Sequence, residues 1–170
     1  MDKKIYLAGG CFWGTEHYLK QIRGVTATQV GYANGNRPNP SYEAVCTGST
    51  HAAETVMVTY DPAVLPLKRL LNIYFKAIDP TSLNQQGPDR GTQYRTGIYY
   101  IDDADLPLIQ QVMEAQQRLY SDLIEVEVLP LANFYLAEEY HQDYLVKNPQ
   151  GYCHLPRELF KLAREANSQR

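Results

Sequence analysis

A two-layer α/β sandwich is the fold class this sequence predicts, on three observations. Runs that alternate apolar and polar residues are interleaved with runs whose apolar residues recur three and four apart. At 170 residues the chain is long enough for one real core and too short for two comfortable ones. Its 44% hydrophobic and 21% charged residues are those of an ordinary globular protein. With no internal repeat or low-complexity linker, residues 1–170 are expected to form a single domain.

The elements follow in order. "KKIYLA" (3–8) reads as a first strand, ended by Gly9 and Gly10. "CFWGTEHYLKQIRG" (11–24) spaces Phe12, Thr15, Leu19 and Ile22 as a helix, with Gly24 as its stop. "TATQVGY" is a second strand, and "YANGNRPNPSYEA" a loop dense in Asn, Gly and Pro. "ETVMVTYDP" (54–62) alternates cleanly before a proline, which puts Glu54 on the face of Val56 and Val58. "PLKRLLNIYFKAIDP" is a helix with Leu67, Leu70, Leu71, Tyr74 and Ile78 on one stripe. The polar stretch 79–95 is too long to be a mere connector, which points to function. "TGIYYID" is a strand, "ADLPLIQQVMEAQQRLYS" a helix and "IEVEVL" a strand. "EEYHQDYLVK" is a short helix ended by "NPQG", and "PRELFKLAREAN" a last helix opened by Pro156.

Charge and composition exclude several function classes. A net charge of −3 with scattered Lys and Arg leaves no nucleic-acid footprint. No apolar run approaches the roughly 20 residues of a membrane span, and the N-terminus lacks a secretory hydrophobic region. A cytoplasmic protein is expected. The three cysteines, Cys11, Cys46 and Cys153, form no C-x-x-C pair, and their odd number argues against a disulfide framework. The four histidines show no metal-ligand spacing, and the glycines no phosphate-loop spacing. If the thiols matter, they matter as reactive groups.

Cys11 is the first candidate. Strand, glycine turn and helix place its sulfur at a helix N-terminus, where unpaired N–H groups and the dipole favour a thiolate. Phe12 and Trp13 would wall the site. The plain alternative is an inert buried cysteine. Glu54 is the second: a carboxyl on an apolar strand face loses water, and its pKa should rise, so it would remain a proton donor at neutral pH. Its alternative is a strand-end glutamate reaching solvent. Cys153 lies in the irregular "KNPQGYCHLP" near the C-terminus, where chain mobility would let the thiol swing towards Cys11 for a transient disulfide; the plain alternative is an ordinary surface thiol. Cys46, beside Val45, reads as buried structure. His141 with Asp143 resembles the orienting pair of a Cys-His hydrolase, or a solvated helix face. His17 and His51 carry little signal.

At this point the sequence resembles the A-type peptide methionine sulfoxide reductases. The resemblance rests on "GCFWG" (10–14), "GYANG" (31–35), "NPSYEAVCTG" (39–48), Glu54 with "VMVTYDP", "DPTSLNQQGPDRGTQYR" (79–95), "FYLAEEYHQDYL" (134–145) and "NPQGYC" (148–153). It implies that Cys11 is the nucleophile toward the sulfoxide sulfur and that Glu54 protonates or hydrogen-bonds the sulfoxide oxygen. Tyr42 and Tyr94 would hold that oxygen, Phe12 and Trp13 would cage the methyl group, and Asp89 would lie near the substrate backbone. His141 and Tyr144 would form the rim, and Cys153 would recycle Cys11. It further implies thioredoxin or another dithiol as reductant with no other cofactor, S-epimer methionine sulfoxide, free or in oxidised proteins, as substrate, and a ferredoxin-like core with a long irregular C-terminal segment from about residue 146. A monomer is expected. The chain departs from the family at "HAAE", which moves His51 one place and leaves it no role. It departs again at "GYANG", where Asn34 still tolerates a positive φ, and at Leu136, where proline is frequent.

The chemistry fits the residues. A sulfoxide oxygen is a poor leaving group until protonated, so the reaction needs an anionic sulfur beside a neutral acid, and the proton must stay on Glu54. Three other readings compete: a Cys-His hydrolase using Cys11 and His141, a thiol peroxidase, and a module that binds oxidised methionine through Phe12 and Trp13. The peroxidase would want a threonine three residues ahead of Cys11, where Ala8 stands.

Overall fold

The computed structural model describes residues 1–167. Strand β1 (Lys3–Gly9) leads into α1 (Phe12–Leu19), β2 (Val25–Ala33), α2 (Tyr42–Cys46), β3 (Ala53–Tyr60) and α3 (Leu67–Phe75). A small hairpin of β4 (Gln85–Gln86) and β5 (Asp89–Arg90) precedes β6 (Thr96–Tyr100), α4 (Leu106–Gln117), β7 (Glu127–Pro130) and β8 (Phe134–Leu136). Helices α5 (Tyr144–Lys147) and α6 (Glu158–Ala166) follow. The main sheet runs β7-β6-β1-β3-β2-β8. All its neighbours are antiparallel except β6 with β7.

Alternation decides which face each strand residue occupies. Ile5, Leu7, Val30, Val56, Val58 and Ile98 share one core with Phe12, Leu70, Leu71, Ile109 and Phe160 from the helices. Tyr6, Ala8, Ala33, Ala53 and Tyr99 form the opposite face, covered by Leu131 and Phe134. That is the expected two-layer α/β arrangement. Each fully buried Leu or Ile contributes about 1.5–3 kcal/mol of transfer free energy, so the larger core carries most of the stability.

The register also fixes where chemistry can occur. Strand β1 ends where its antiparallel neighbours β3 and β6 begin: Leu7 faces Val56, and Gly9 faces Thr96. Strand β2 ends at the same level, with Tyr32 facing Glu54. The residues that follow β1 and β2, and those that open β3 and β6, therefore converge on one end of the sheet.

Several elements differ from expectation. The first helix ends at Leu19 and continues to Gly24 as turns. The Asn/Pro-rich loop ends in α2, whose Ser41 hydroxyl caps the Ala44 N–H. The stretch 79–95 holds the β4–β5 hairpin and a 3-10 turn at Thr92–Tyr94. Strand β8, pairing with β2, lies between "IEVEVL" and "EEYHQDYLVK", where the sequence predicts no element. The helix expected over 138–147 splits at Asp143, a left-handed residue (φ 51°) whose N–H is held by the buried Glu16 carboxylate at 2.9 Å. Glu16 also accepts from the Thr28 hydroxyl at 2.8 Å. Among the described residues no helix is long and apolar enough to cross a membrane.

Candidate active site

Cys11 follows the β1 terminus and caps α1 with no side-chain hydrogen bond of its own. The turn that delivers it depends on Gly10, at φ +90°, where a β-carbon would fall 2.8 Å from Cβ of Gln86. The sulfur is buried, 7% exposed. The N–H groups of Trp13 and Gly14 favour its anion, as a helix N-terminus should. Burial outweighs them, and with the Glu54 charge it holds the thiol well above its ordinary pKa. The expected resting thiolate is thus corrected: in the free protein the sulfur keeps its proton.

Glu54, in β3, is 1% exposed. Its Oε1 accepts the Phe12 N–H at 3.1 Å, one of the first-turn amides of α1. Its Oε2 is buried without a hydrogen-bond partner among the described residues. Burial pushes the carboxyl up to about 8, against the pull of the Phe12 amide. At neutral pH the proton stays on, and Oε2 is the oxygen free to donate it.

Tyr42 and Tyr94 approach from the same end of the sheet, in α2 and just before β6. Burial and then the Glu54 charge raise both phenols, so both are neutral hydroxyl donors. Tyr42 is anchored through its backbone, whose N–H donates to Glu138 Oε2 at 2.9 Å. Glu138 Oε1 accepts from the Tyr32 hydroxyl at 2.7 Å.

The aromatic wall is layered. Trp13 is half-buried and stacks on Tyr144, with ring centres 3.8 Å apart. Phe12 is fully buried against Tyr32 and His141. His141 corrects the expectation of a rim residue, for it has no exposed surface at all. Its Nδ1 accepts the Trp13 indole N–H at 2.9 Å, and burial lowers its pKa. The ring is therefore a neutral support for Trp13. With its Nδ1 lone pair committed, and Asp143 paired instead with Lys20, the hydrolase arrangement fails.

Asp89, in β5, accepts the Tyr152 hydroxyl at 3.0 and 3.1 Å. Cys153 is half-buried and its thiol donates to the Leu155 carbonyl at 3.4 Å. A β-carbon on Gly14 would fall 3.0 Å from Cys153 Sγ, so the segment carrying this thiol rests on the first turn of α1, which opens at Cys11. All three cysteines are reduced. Cys46 is exposed, which corrects its reading as buried structure. His51 is exposed and takes no part.

The structure also brings Tyr32, Gln86, Glu138, Tyr152 and His154 to the site, none of which was singled out from sequence. Gln86 is buried and binds the Asp79 backbone through both ends of its amide, pinning the 79–95 segment. The signal for His154 was the glycine pair around Cys11. Gly10 and Gly14 leave room on either side, and His154 fills it.

A family model described as peptide methionine sulfoxide reductase matches residues 3–170. The "Peptide methionine sulfoxide reductase MsrA" of Lachnoclostridium phytofermentans is 55% identical over 166 residues, covering 98% of this chain and 100% of that one. Among solved structures, the reduced form of Saccharomyces cerevisiae Mxr1 superposes with a TM-score of 0.85 at 46% identity, covering 89% of this chain and 88% of that one. Mxr1 in complex with Trx2 superposes at 0.61, with 31% identity and 84% of each chain covered. The chain belongs to the peptide methionine sulfoxide reductase family, in its A-type branch, and is an oxidoreductase acting on peptide-methionine (S)-S-oxide.

Proposed function

We propose that Cys11 attacks the sulfur of methionine S-sulfoxide, free or in proteins, with Glu54 as the acid, and that Cys153 then resolves the product. The observation that carries this reading is the Glu54 carboxyl, buried and neutral, tied to the amide next to Cys11 and holding an unused Oε2. Both groups are protonated at rest, which removes the repulsion that a thiolate beside a carboxylate would suffer. When the sulfoxide oxygen takes the Glu54 proton, the carboxylate left behind accepts the thiol proton. Freed of its proton, the Cys11 sulfur bonds to the sulfoxide sulfur as the S–O bond breaks and the oxygen, protonated again by Glu54, leaves as water. A water then attacks Cys11 Sγ, the S–S bond breaks, and its proton returns to Glu54. The products are methionine and a Cys11 sulfenic acid, the two electrons coming from the thiol. Tyr42 and Tyr94 donate to the oxygen, Phe12 and Trp13 face the methyl group, and Asp89 and Tyr144 receive the substrate backbone.

Cys153 then condenses with the sulfenic acid, and dithiol exchange with thioredoxin restores both thiols. The yeast relative solved with Trx2 supports that partner. Residues 1–170 act as one catalytic unit in a reducing compartment.

Glu54→Gln keeps the hydrogen bond to Phe12 but has no proton to give, so methionine formation should fall on the order of 100-fold or more. Near-parental rates would assign the acid to another group. Cys153→Ser should release one methionine per enzyme and then stall with thioredoxin. Repeated turnover there would place resolution elsewhere, at Cys46.

A further inference from the structure

His154 has no part in the steps above, yet its ring lies among the residues that perform them. Its Nε2 is 3.1 Å from the Gly9 carbonyl oxygen. A carbonyl only accepts, so this contact assigns the hydrogen to Nε2 and leaves the lone pair on Nδ1. That Nδ1 is buried and has no hydrogen-bond partner among the described residues. A β-carbon on Gly14 would lie 2.9 Å from Nδ1 and 3.0 Å from Cys153 Sγ, so the unused acceptor and the resolving thiol border one small space over the first turn of α1. On the other side of Cys11, a β-carbon on Gly10 would lie 2.9 Å from Nε2. The sequence "GCFWG" is thus a seat for this imidazole as much as a turn for Cys11.

We infer that His154 Nδ1 is the general base of the resolving step, taking the proton from Cys153 Sγ as that sulfur attacks the Cys11 sulfenic acid. The inference rests on the reading of Cys153 as the resolving thiol. The S–S bond forms, the S–O bond on Cys11 breaks, and the departing hydroxide takes the proton back from the imidazolium to leave as water. No outside oxidant or reductant enters. Cys153 needs such a base because burial raises its pKa, and even an ordinary thiol is only a few per cent thiolate at neutral pH. His154 can serve because burial keeps it neutral. The charge that reaches it is the Asp89 carboxylate, itself bonded to Tyr152. Cys11 and Cys153 lie beside Tyr152, the Asp89 charge also reaches Glu54 and Tyr94, and the Arg157 guanidinium pulls the Cys153 thiol down against its burial.

The test is a rapid-quench experiment that follows methionine release and the Cys11–Cys153 disulfide separately after one equivalent of methionine sulfoxide. In the parent, disulfide formation should be flat between about pH 7 and 8.5, where the imidazole is neutral. A tenfold rise per pH unit would mean that thiolate forms without a base and would overturn the inference. His154→Gln can keep an N–H for Gly9 but loses the basic lone pair. Its disulfide formation should slow at pH 7 at least tenfold more than its methionine release, with the gap closing above pH 9. A disulfide formed at the parental rate would remove the base and leave the resolving thiol standing. Repeated turnover of Cys153→Ser with thioredoxin would instead remove the resolving thiol itself.

Discussion

Glu54 joins the stability of the fold to the proposed chemistry. Its carboxyl sits near 8 in the folded chain and near 4.5 when free, so the folded state holds the proton more tightly. The stability this contributes is present below about pH 4.5 and is lost as pH rises through about 8. The total is on the order of 5 kcal/mol. Glu54→Gln cannot ionise, so its melting temperature should fall less than the parent's between pH 5 and pH 9, and at pH 9 the variant should be the more stable. A gap between the two that ignores pH would show that Glu54 is already charged in the fold. The position of this residue was legible from strand alternation, as was that of Cys11 from the glycine turn. Cys46 and His141 were not, for physical reasons. In a helix adjacent residues point about 100° apart, so the buried Val45 says nothing of its exposed neighbour Cys46. His141 lies in a polar run, but the helix breaks at Asp143, and the indole of Trp13, 128 residues away in sequence, claims the ring.

Elements with a full period announced themselves, and those without one did not. Helix α3 and strand β3 are long enough to show a stripe or an alternation. Helix α2 has five residues, β8 three, and β4 and β5 two each. The order of α2 and β8 comes from distant partners, Glu138 on the first amide of α2 and β2 beside β8, while β4 and β5 pair only with each other. Helix α1 offers a test of this division between local and distant causes. Alanine is the better helix former by about 1 kcal/mol, so local preference favours Gly14→Ala. Its β-carbon, however, would meet the His154 ring at 2.9 Å and Cys153 Sγ at 3.0 Å, closer than van der Waals contact allows. The 153–154 segment must then lift off α1. Disulfide formation should slow by more than methionine release does, in the same rapid-quench assay, while α1 itself stays folded. Equal effects on both steps would mean that the segment does not dock on Gly14 during turnover.

At the scale of the molecule, the proposed mechanism asks the groups at the sheet end to stay in place and asks the thiol on the C-terminal chain to move. The strand order that produces this convergence has no local signature in the sequence, because nothing in β1 says that β3 and β6 will flank it. Between its anchors the chain of residues 148–157 carries Cys153. Upstream, Tyr144 stacks on Trp13 and Leu145 is buried. Downstream, α6 buries Phe160 and Ala163, and Asn167 fastens its end. The Asn167 amide donates to the carbonyls of Arg23 at 2.7 Å and Val64 at 3.0 Å, and accepts from the Arg69 guanidinium at 2.6 Å. Asn167→Ala would strip partners from groups around a nearly fully buried site, costing roughly 2–3 kcal/mol and about 5–10 °C in melting temperature. Hydrogen exchange should show the loss concentrated in α6, with β1 and β3 still protected. Methionine release, which depends on the sheet end, should hold near its parental rate. Disulfide formation should fall several-fold, because a tether loosened at one end presents Cys153 to Cys11 at a lower effective concentration. Equal protection loss in β1 and α6 would show instead that the strap and the sheet unfold as one unit, and that the resolving thiol has no mobility of its own.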